Sequence, residues 1–216
     1  MERIIIITVP HGFCLARTAN CDVRTCDLRA QEAAQLLYNK LIAKNNYPTL
    51  FLSNIERSEH DLNRPWSRDV HWRQELKKTL NKFRNLGDDK IIILVDMHSF
   101  VNSIRRPDLH PEETFENKKI GVLDFKKNLI TDNLISQLGE KLGQENIVFV
   151  AGSEVNDIQL TSREFANYSF LIENNEDSKI YTKQDLNDSM EIIANYLLTF
   201  NPPKFKKRET NDCVIL

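Results

Sequence analysis

The sequence predicts an α/β fold built on a mostly parallel sheet. Three short runs, at residues 3–9, 91–95 and 147–151, are apolar at nearly every position and rich in isoleucine and valine. Strands that are apolar on both faces are typical of parallel sheets covered by helices. Segments with apolar residues three and four positions apart separate these runs, and such an alternation favours a sheet with helices packed against it.

The remaining elements follow from the same two periodicities. In chain order we predict a strand at 3–9, a helix from Asp27 to Asn45, a strand at 47–52, a helix capped by Ser67 and stopped by Gly87, strands at 91–95 and 120–125, a helix stopped by Gly143, strands at 147–151 and 168–172, and a closing helix stopped by Pro202. Residues 12–26 and 101–119 have neither period, so we predict an active-site loop and a long lid or substrate wall there.

The length and composition of the chain limit the classes of protein to which it can belong. The 216 residues suit one domain, at residues 1–200, followed by a basic tail at 201–216. Lysine and arginine number 29 against 31 acidic residues, which gives no reason to expect a nucleic-acid partner. No run reaches the roughly 20 apolar residues of a membrane span, and the first residues lack the order of a signal peptide. We therefore expect a cytoplasmic protein, of unspecified oligomeric state, that acts on a small molecule.

Four cysteines, in a chain expected to be cytosolic, favour free thiols over a disulfide framework. They are Cys14, Cys21, Cys26 and Cys213. The first three crowd behind His11 but lack the paired two-residue spacing of a structural zinc knuckle. We therefore expect none of them to belong to a structural zinc site.

Two histidines follow apolar runs. His11 comes after the strand at 3–9, and His98 comes after the strand at 91–95. The carboxyl ends of parallel strands meet at one edge of the sheet, where α/β proteins bind ligands. A catalytic zinc takes three protein ligands, commonly imidazoles with one carboxylate, and leaves a position for water. The pair therefore predicts a metal site, although each histidine alone would fit a hydrogen-bonded loop residue.

Asp27 is the candidate for the third ligand because it ends the loop that begins at His11. Asp22 and Glu32 are alternatives, and Asp27 would equally suit a simple helix N-cap. Asp96, two residues before His98, would either hold that imidazole by a hydrogen bond or serve as a structural carboxylate.

Four further polar residues suit substrate binding or acid–base chemistry. An arginine beside an amide, at Asn63-Arg64, suits recognition of a carboxylate, and Arg57 flanks the same polar segment. Solvent-exposed arginines are the simpler interpretation of that segment. Glu173 follows a buried strand, where partial burial would suit a carboxylate for general-base work.

The ordered motifs resemble one known family. They are Val9-Pro10-His11-Gly12, then Arg57 followed by Asp61-Leu62-Asn63-Arg64-Pro65, then Val95-Asp96-Met97-His98-Ser99. Together they look like the N-formylglutamate amidohydrolase family, which is itself similar in fold to zinc carboxypeptidases and aspartoacylases. The resemblance covers Ile4 to Glu173. It implies a three-layer fold with a mostly parallel mixed sheet, zinc-exopeptidase-like (phosphorylase/hydrolase-like).

The resemblance also implies one zinc per chain, bound by His11, His98 and an acidic residue between them that we place at Asp27. A carboxypeptidase-type ligand pair would have a glutamate three residues after His11, where this chain has Cys14. The acidic ligand is thus the point at which this chain departs from that pattern.

The expected reaction is hydrolysis of the amide C–N bond of an N-acyl, for example N-formyl, amino acid. By resemblance, Glu173 activates the water, Arg57 polarises the scissile carbonyl, and Asn63 with Arg64 holds the substrate carboxylate. Two alternatives stay open: a zinc carboxypeptidase, for which the same clamp would serve, and a catalytically silent, membrane-attached binding module of the same fold.

The tail carries a separate signal. Its last four residues, Cys213-Val214-Ile215-Leu216, match a prenylation box, and residues 204–208 are basic. One lipid and a basic patch together suffice for stable membrane anchoring. We therefore expect lipidation at Cys213 and attachment to the cytosolic face of a membrane, with a frayed, charged terminus as the alternative.

Overall fold

The computed structural model describes residues 2–13, 26–57, 59–87, 89–101, 115–124, 129–151 and 157–200. Over these residues the strands are β1 (Glu2–Val9), β2 (Thr49–Leu52), β3 (Lys90–Phe100), β4 (Ile120–Asp124), β5 (Ile147–Ala151) and β6 (Tyr168–Asn175). The α-helices are α1 (Leu28–Ala43), α2 (His71–Arg84), α3 (Leu129–Leu142), α4 (Asp157–Ser162) and α5 (Lys183–Thr199).

The strands form one mixed sheet in the order β2-β1-β3-β6-β4-β5. The first four of these run parallel to one another, whereas β4 runs antiparallel to β6 and parallel to β5. The predicted α/β fold with a mostly parallel mixed sheet is therefore confirmed. Because β4 is antiparallel to β6, Ile120 at its start lies beside Asn174 near the end of β6.

Helices cover both faces of the sheet because alternate side chains of each buried strand point to opposite sides. Ile5 and Ile7 of β1 share a buried cluster with residues of α1, α3 and α5. Ile6, between them, belongs instead to a cluster with residues of α2 and α4. The result is the three-layer arrangement that the sequence predicted.

Two strands extend further than predicted. β3 continues to Phe100 and β6 continues to Asn175, so His98 and Glu173 lie inside strands and not after them. The two extensions pair with each other, and His98 stands opposite Glu173. The prediction ended each strand at its last apolar residue, but backbone pairing does not depend on the polarity of the side chains.

The second helix also starts later than predicted. A 3₁₀ turn at Pro65–Ser67 precedes α2, which begins at His71. Ser67 does not cap it, because its hydroxyl donates a hydrogen bond to the carbonyl oxygen of Asp61 at 2.8 Å. The short helix α4 was missed, since six residues are too few to display a helical period.

Cys26 corrects the expectation of free thiols, because it is disulfide-bonded. Its partner lies outside the described residues, as do the other three cysteines. The backbone N–H of Asp27 donates to the carbonyl oxygen of His11 at 2.8 Å. That bond joins the two residues that flank the segment 12–26, and Cys26 lies directly before Asp27.

The predicted tail at 201–216, with Cys213, also lies outside the described residues, as do Asp22 and most of the segment at 101–119. Within the part of the chain that is described, no helix combines the length and the apolar character needed to cross a membrane.

A buried ion pair ties α2 to α4. Asp157 is fully buried and lies 2.8 Å from the guanidinium of Arg73, which is also buried. Arg68, which is about half exposed, contacts the same carboxylate. Burial raises the pKa of Asp157, but hydrogen bonds and charge from Arg68 and Arg73 outweigh it and hold the pKa below its ordinary value.

We expect Asp157→Asn to lower the free energy of unfolding by about 3 to 5 kcal/mol, because Arg73 would stay buried without its counter-charge. Since the pKa of Asp157 is lower in the folded state, its contribution is present above about pH 4 and is lost as the pH falls below that. Urea unfolding of the variant and the wild type at neutral pH would measure the loss. Arg68→Ala is the matched control and should cost about 1 kcal/mol or less. Equal losses in the two variants would contradict this account.

Candidate active site

Three buried side chains meet at the carboxyl ends of β1 and β3. His11 follows β1, His98 lies near the end of β3, and Asp27 immediately precedes α1. One possible ligand atom from each residue lies within 4.8 Å of the others. The structure thus brings together the three residues that the sequence analysis proposed as metal ligands.

Both imidazoles turn the same nitrogen toward the carboxylate. Nδ1 of His98 lies 2.8 Å from Oδ2 of Asp27, and Nδ1 of His11 lies 3.6 Å from that oxygen. The Nδ1 atom of His11 is buried and makes no hydrogen bond. Two imidazole nitrogens and one carboxylate oxygen are a usual ligand set for catalytic zinc, so these residues fit that ion.

The opposite nitrogen of each imidazole is held by another carboxylate. Nε2 of His11 lies 2.8 Å from Oδ1 of Asp61, and Nε2 of His98 lies 3.1 Å from Oδ2 of Asp96. Asp96 is itself fixed by the hydroxyl of Thr8, which donates to Oδ1 at 2.6 Å. Carboxylates in this position set the tautomer and orientation of metal-binding histidines. Of the two interpretations of Asp96, the geometry supports the one in which it holds the ring.

Burial and pairing act in opposite directions on the charges at this cluster. Burial raises the pKa of Asp27, but the close contact with His11, the hydrogen bond with His98 and the charges of both imidazoles outweigh it, and the pKa lies well below its ordinary value. Burial lowers the pKa of His98, but the charge of Asp96 and hydrogen bonds with Asp27 and Asp96 raise it to about 10. A metal ion that binds at this contact would therefore compete with a proton.

The alternatives for the acidic ligand fare differently. Glu32 lies on α1 with a largely exposed side chain, and its nearest cation is Arg29 at 3.7 Å, so it does not join the cluster. Asp22 and Cys14 lie outside the described residues. Asp27 does occupy the N-cap position of α1, but its side chain makes no capping hydrogen bond. Its carboxylate faces the imidazoles and not the helix.

Asp61 connects the cluster to the predicted substrate residues. Its Oδ2 atom lies 3.4 Å from Nε of Arg57 and 3.2 Å from Nε of Arg64, while Oδ1 contacts His11. Oδ1 also accepts a hydrogen bond from the backbone N–H of Asn63 at 3.2 Å. Burial raises the pKa of Asp61, but the hydrogen bond and charge of His11 and the two arginines hold the pKa below its ordinary value.

The predicted substrate residues lie beside the candidate metal ligands. Arg57 reaches within 3.7 Å of Oδ1 of Asp27. Asn63 is buried, and its Oδ1 accepts a hydrogen bond from the backbone N–H of Ile158 at 3.2 Å. Its Nδ2 atom lies 3.3 Å from Nε2 of His98. Arg57 and Asn63 therefore contact the cluster, while the arginine side chains stay partly exposed.

Glu173 is buried in β6, in register with His98 of β3 and with Gly121 of β4. Residues paired in this way point to the same face of a sheet, which places Glu173 on the same side as His98. A Cβ atom at Gly121 would lie 2.4 Å from the ring of Phe115, so only glycine fits there. The ring of Phe115 thus packs over the strand next to Glu173.

The sequence analysis did not single out two residues that contribute contacts to this site, Asp61 and Glu176. Asp61 was quoted only as part of a motif, although its place two residues before Asn63 is typical of a turn-forming aspartate. Glu176 accepts hydrogen bonds from Ser99 and from the backbone of Leu28. Nothing local in the sequence marks that role, because the contacts join residues far apart in the chain.

Among the comparisons with known proteins, only the one with solved structures gives matches, and these agree on the fold. No family model and no curated protein sequence matches the chain. Among solved structures, gene product Atu2144 of Agrobacterium tumefaciens matches with a TM-score of 0.60 and 13% identity, over 91% of this chain and 88% of that one. The succinylglutamate desuccinylase of Chromobacterium violaceum matches with a TM-score of 0.52 and 10% identity, over 95% of this chain and 64% of that one. These similarities establish a shared architecture.

We expect Asp61→Ala to weaken zinc binding by about 10-fold to 100-fold, because His11 would lose the group that orients its ring. Competition for zinc with a chromophoric chelator would measure the dissociation constant. Asp188→Ala is the control, because Asp188 pairs with Lys141 on the surface between α5 and α3. It should leave zinc binding unchanged. A wild-type affinity in the Asp61 variant would argue against the orienting role.

Proposed function

We propose that this chain is a zinc-dependent hydrolase that cleaves the amide C–N bond of an N-acyl amino acid, such as an N-formyl derivative, or of a similar small substrate bearing a carboxylate. One observation carries the proposal. Both His11 and His98 present Nδ1 to Asp27 while a separate carboxylate holds Nε2. Such paired support is typical of metal-binding histidines.

The comparison with solved structures supports the reaction class. One neighbour is a succinylglutamate desuccinylase, whose name describes the removal of an acyl group from an acylated amino acid. A similar architecture, with a candidate metal cluster at the carboxyl ends of the strands, supports hydrolysis of an acyl-amino bond here. The order of the motifs around His11, Arg64 and His98 agrees with that reaction.

When bound, zinc would supply a Lewis acid that polarises the substrate carbonyl and lowers the pKa of a water molecule toward about 7. Glu173 would take the proton from the attacking water and return it to the departing amine, which balances the reaction. Its burial and its place beside His98 suit that role. Its carboxylate would therefore act first as a base and then as an acid.

Arg57 and the Asn63-Arg64 pair would divide the work of binding. Arg57 lies next to Asp27, so its guanidinium would stabilise the negative charge that develops on the carbonyl oxygen. Asn63 uses Oδ1 for Ile158, and Nδ2, which lies 3.3 Å from Nε2 of His98, would donate its second N–H to a substrate carboxylate. Arg64 would supply the positive charge, and its contact with Asp61 limits how its side chain moves.

The first test is the zinc content of the purified wild type, His98→Ala and Glu173→Gln proteins. We expect about one zinc per chain in the wild type and in Glu173→Gln, and loss of zinc in His98→Ala. With N-acyl amino acids as substrates, Glu173→Gln should lose about 100-fold to 10,000-fold in kcat while keeping its metal.

A wild type that takes up no zinc when zinc is added would contradict the proposal. Zinc binding without hydrolysis of N-acyl amino acids or peptides would favour a silent binding module. Preference for peptides would favour a carboxypeptidase.

Substitution of Arg57 and substitution of Arg64 should affect different kinetic constants. We expect Arg57→Ala to lower kcat by about two to three orders of magnitude, because a transition-state donor is lost. Arg64→Ala should instead raise KM with a smaller effect on kcat, because it contacts the part of the substrate that does not react. Steady-state kinetics over a wide range of substrate concentration would distinguish them. A rise in KM alone for Arg57→Ala, or an unchanged KM for Arg64→Ala, would count against the respective role.

A further inference from the structure

The N-terminus of α1 lacks a cap of its own. The first backbone N–H groups of a helix need acceptors from outside the helix. Asp27 stands at the N-cap position, but its side chain makes no capping hydrogen bond, and α1 has no acidic residue in its first turn. The Asp27 carboxylate is instead hydrogen-bonded to Nδ1 of His98 at 2.8 Å. The helix therefore needs another acceptor.

Glu176, which directly follows β6, supplies that acceptor. The backbone N–H of Leu28 donates to Oε1 of Glu176 at 3.1 Å. The carboxyl group lies at the positive end of the helix dipole, but burial and the charge of Asp27 raise its pKa, so the contact rests on the hydrogen bond. This contact allows Asp27 to leave its usual capping role and face the imidazoles.

The same oxygen has a second donor on β3. The hydroxyl of Ser99 donates to Oε1 of Glu176 at 2.5 Å. Leu28 directly follows Asp27, and Ser99 directly follows His98. One oxygen atom thus joins the chain neighbours of two residues in the candidate metal cluster. The backbone N–H of Glu176 donates to the carbonyl oxygen of Phe100 at 3.0 Å, which fixes Glu176 against β3.

We propose that Glu176 is a positioning residue that sets the separation of Asp27 and His98 by accepting hydrogen bonds from Leu28 and Ser99 through one oxygen. It would hold these two side chains ready for a metal ion without touching the ion. Removal of its oxygen would leave the start of α1 without the link between the Leu28 backbone and the Ser99 side chain. The role rests on the proposed metal site, but its geometric part is testable without a metal.

The test compares zinc affinity in Glu176→Ala and Glu176→Gln, measured by competition with a chromophoric chelator. Glu176→Ala removes the shared oxygen and should weaken binding by about 10-fold to 100-fold. Glu176→Gln keeps an oxygen acceptor in the same place and should bind zinc nearly as tightly as the wild type. Ser99→Ala removes only one of the two donors and should fall between them.

Thr182→Ala is the control for a general loss of stability. It removes the capping box between Thr182 and Asp185 at the start of α5, so it should lower Tm without changing zinc affinity. Wild-type affinity in Glu176→Ala, or a loss in Glu176→Gln as large as in Glu176→Ala, would overturn the positioning role.

Crystal structures of the metal-free wild type and Glu176→Ala proteins complete the test. The contact between Oδ2 of Asp27 and Nδ1 of His98, now 2.8 Å, should open in the variant. A retained contact would overturn the positioning role even if the wild type also bound no zinc. Absence of zinc binding in the wild type alone would contradict the proposed function and leave this comparison to decide the geometry.

Discussion

A carboxylate buried between two imidazoles is the interaction on which the rest of the site depends. Asp27 is a charged group with almost no access to solvent, and such a group is costly unless it is paired. The pairing requires β1, β3 and the start of α1 to converge at one point. The loop that closes between His11 and Asp27, and the parallel register of β1 with β3, both satisfy that requirement.

Around this centre two further aspartates, Asp61 and Asp96, hold the imidazole rings in place. Asp61 and Asp96 contact the outer nitrogens of the imidazoles, and Asp61 also binds two arginines. The orientation of His11 and that of Arg57 and Arg64 are thus set by one side chain, Asp61. Binding of a metal and binding of a substrate carboxylate would be coupled through Asp61, because both alter the charge that faces it.

The sequence predicted the sheet and the central cluster because both leave local signals. Apolar runs marked the strands. His11 and His98 stood out because each is a polar residue that lies shortly after such a run. The choice of Asp27 followed from its place at the end of a loop. The roles of the individual ligands and of Glu173 remain predictions that the proposed experiments test.

What the sequence could not predict depends on contacts between distant residues. Glu176 meets Leu28 across 148 positions, and no window of sequence contains both. Serine is a common N-cap residue, yet the hydroxyl of Ser67 donates to the carbonyl oxygen of Asp61, because the chain turns sharply before α2. The disulfide at Cys26 pairs it with a cysteine elsewhere in the chain, and cysteine spacing alone does not reveal such a pairing.

The reversed direction of β4 has a consequence for how such a protein can change. β3 leaves the sheet at Phe100, and β4 enters it at Ile120 beside Asn174, so the connection starts and finishes at the end of the strands where the candidate site lies. A crossover helix, as parallel strands require, would have tied that segment to the core on the far side. Here the described ends of the connection lie at the edge of the sheet that carries His98 and Glu173. A substitution at Phe115, whose ring packs over β4 next to Glu173, would therefore alter the surroundings of the site while the strand pairs that hold His98 and Glu173 stayed intact.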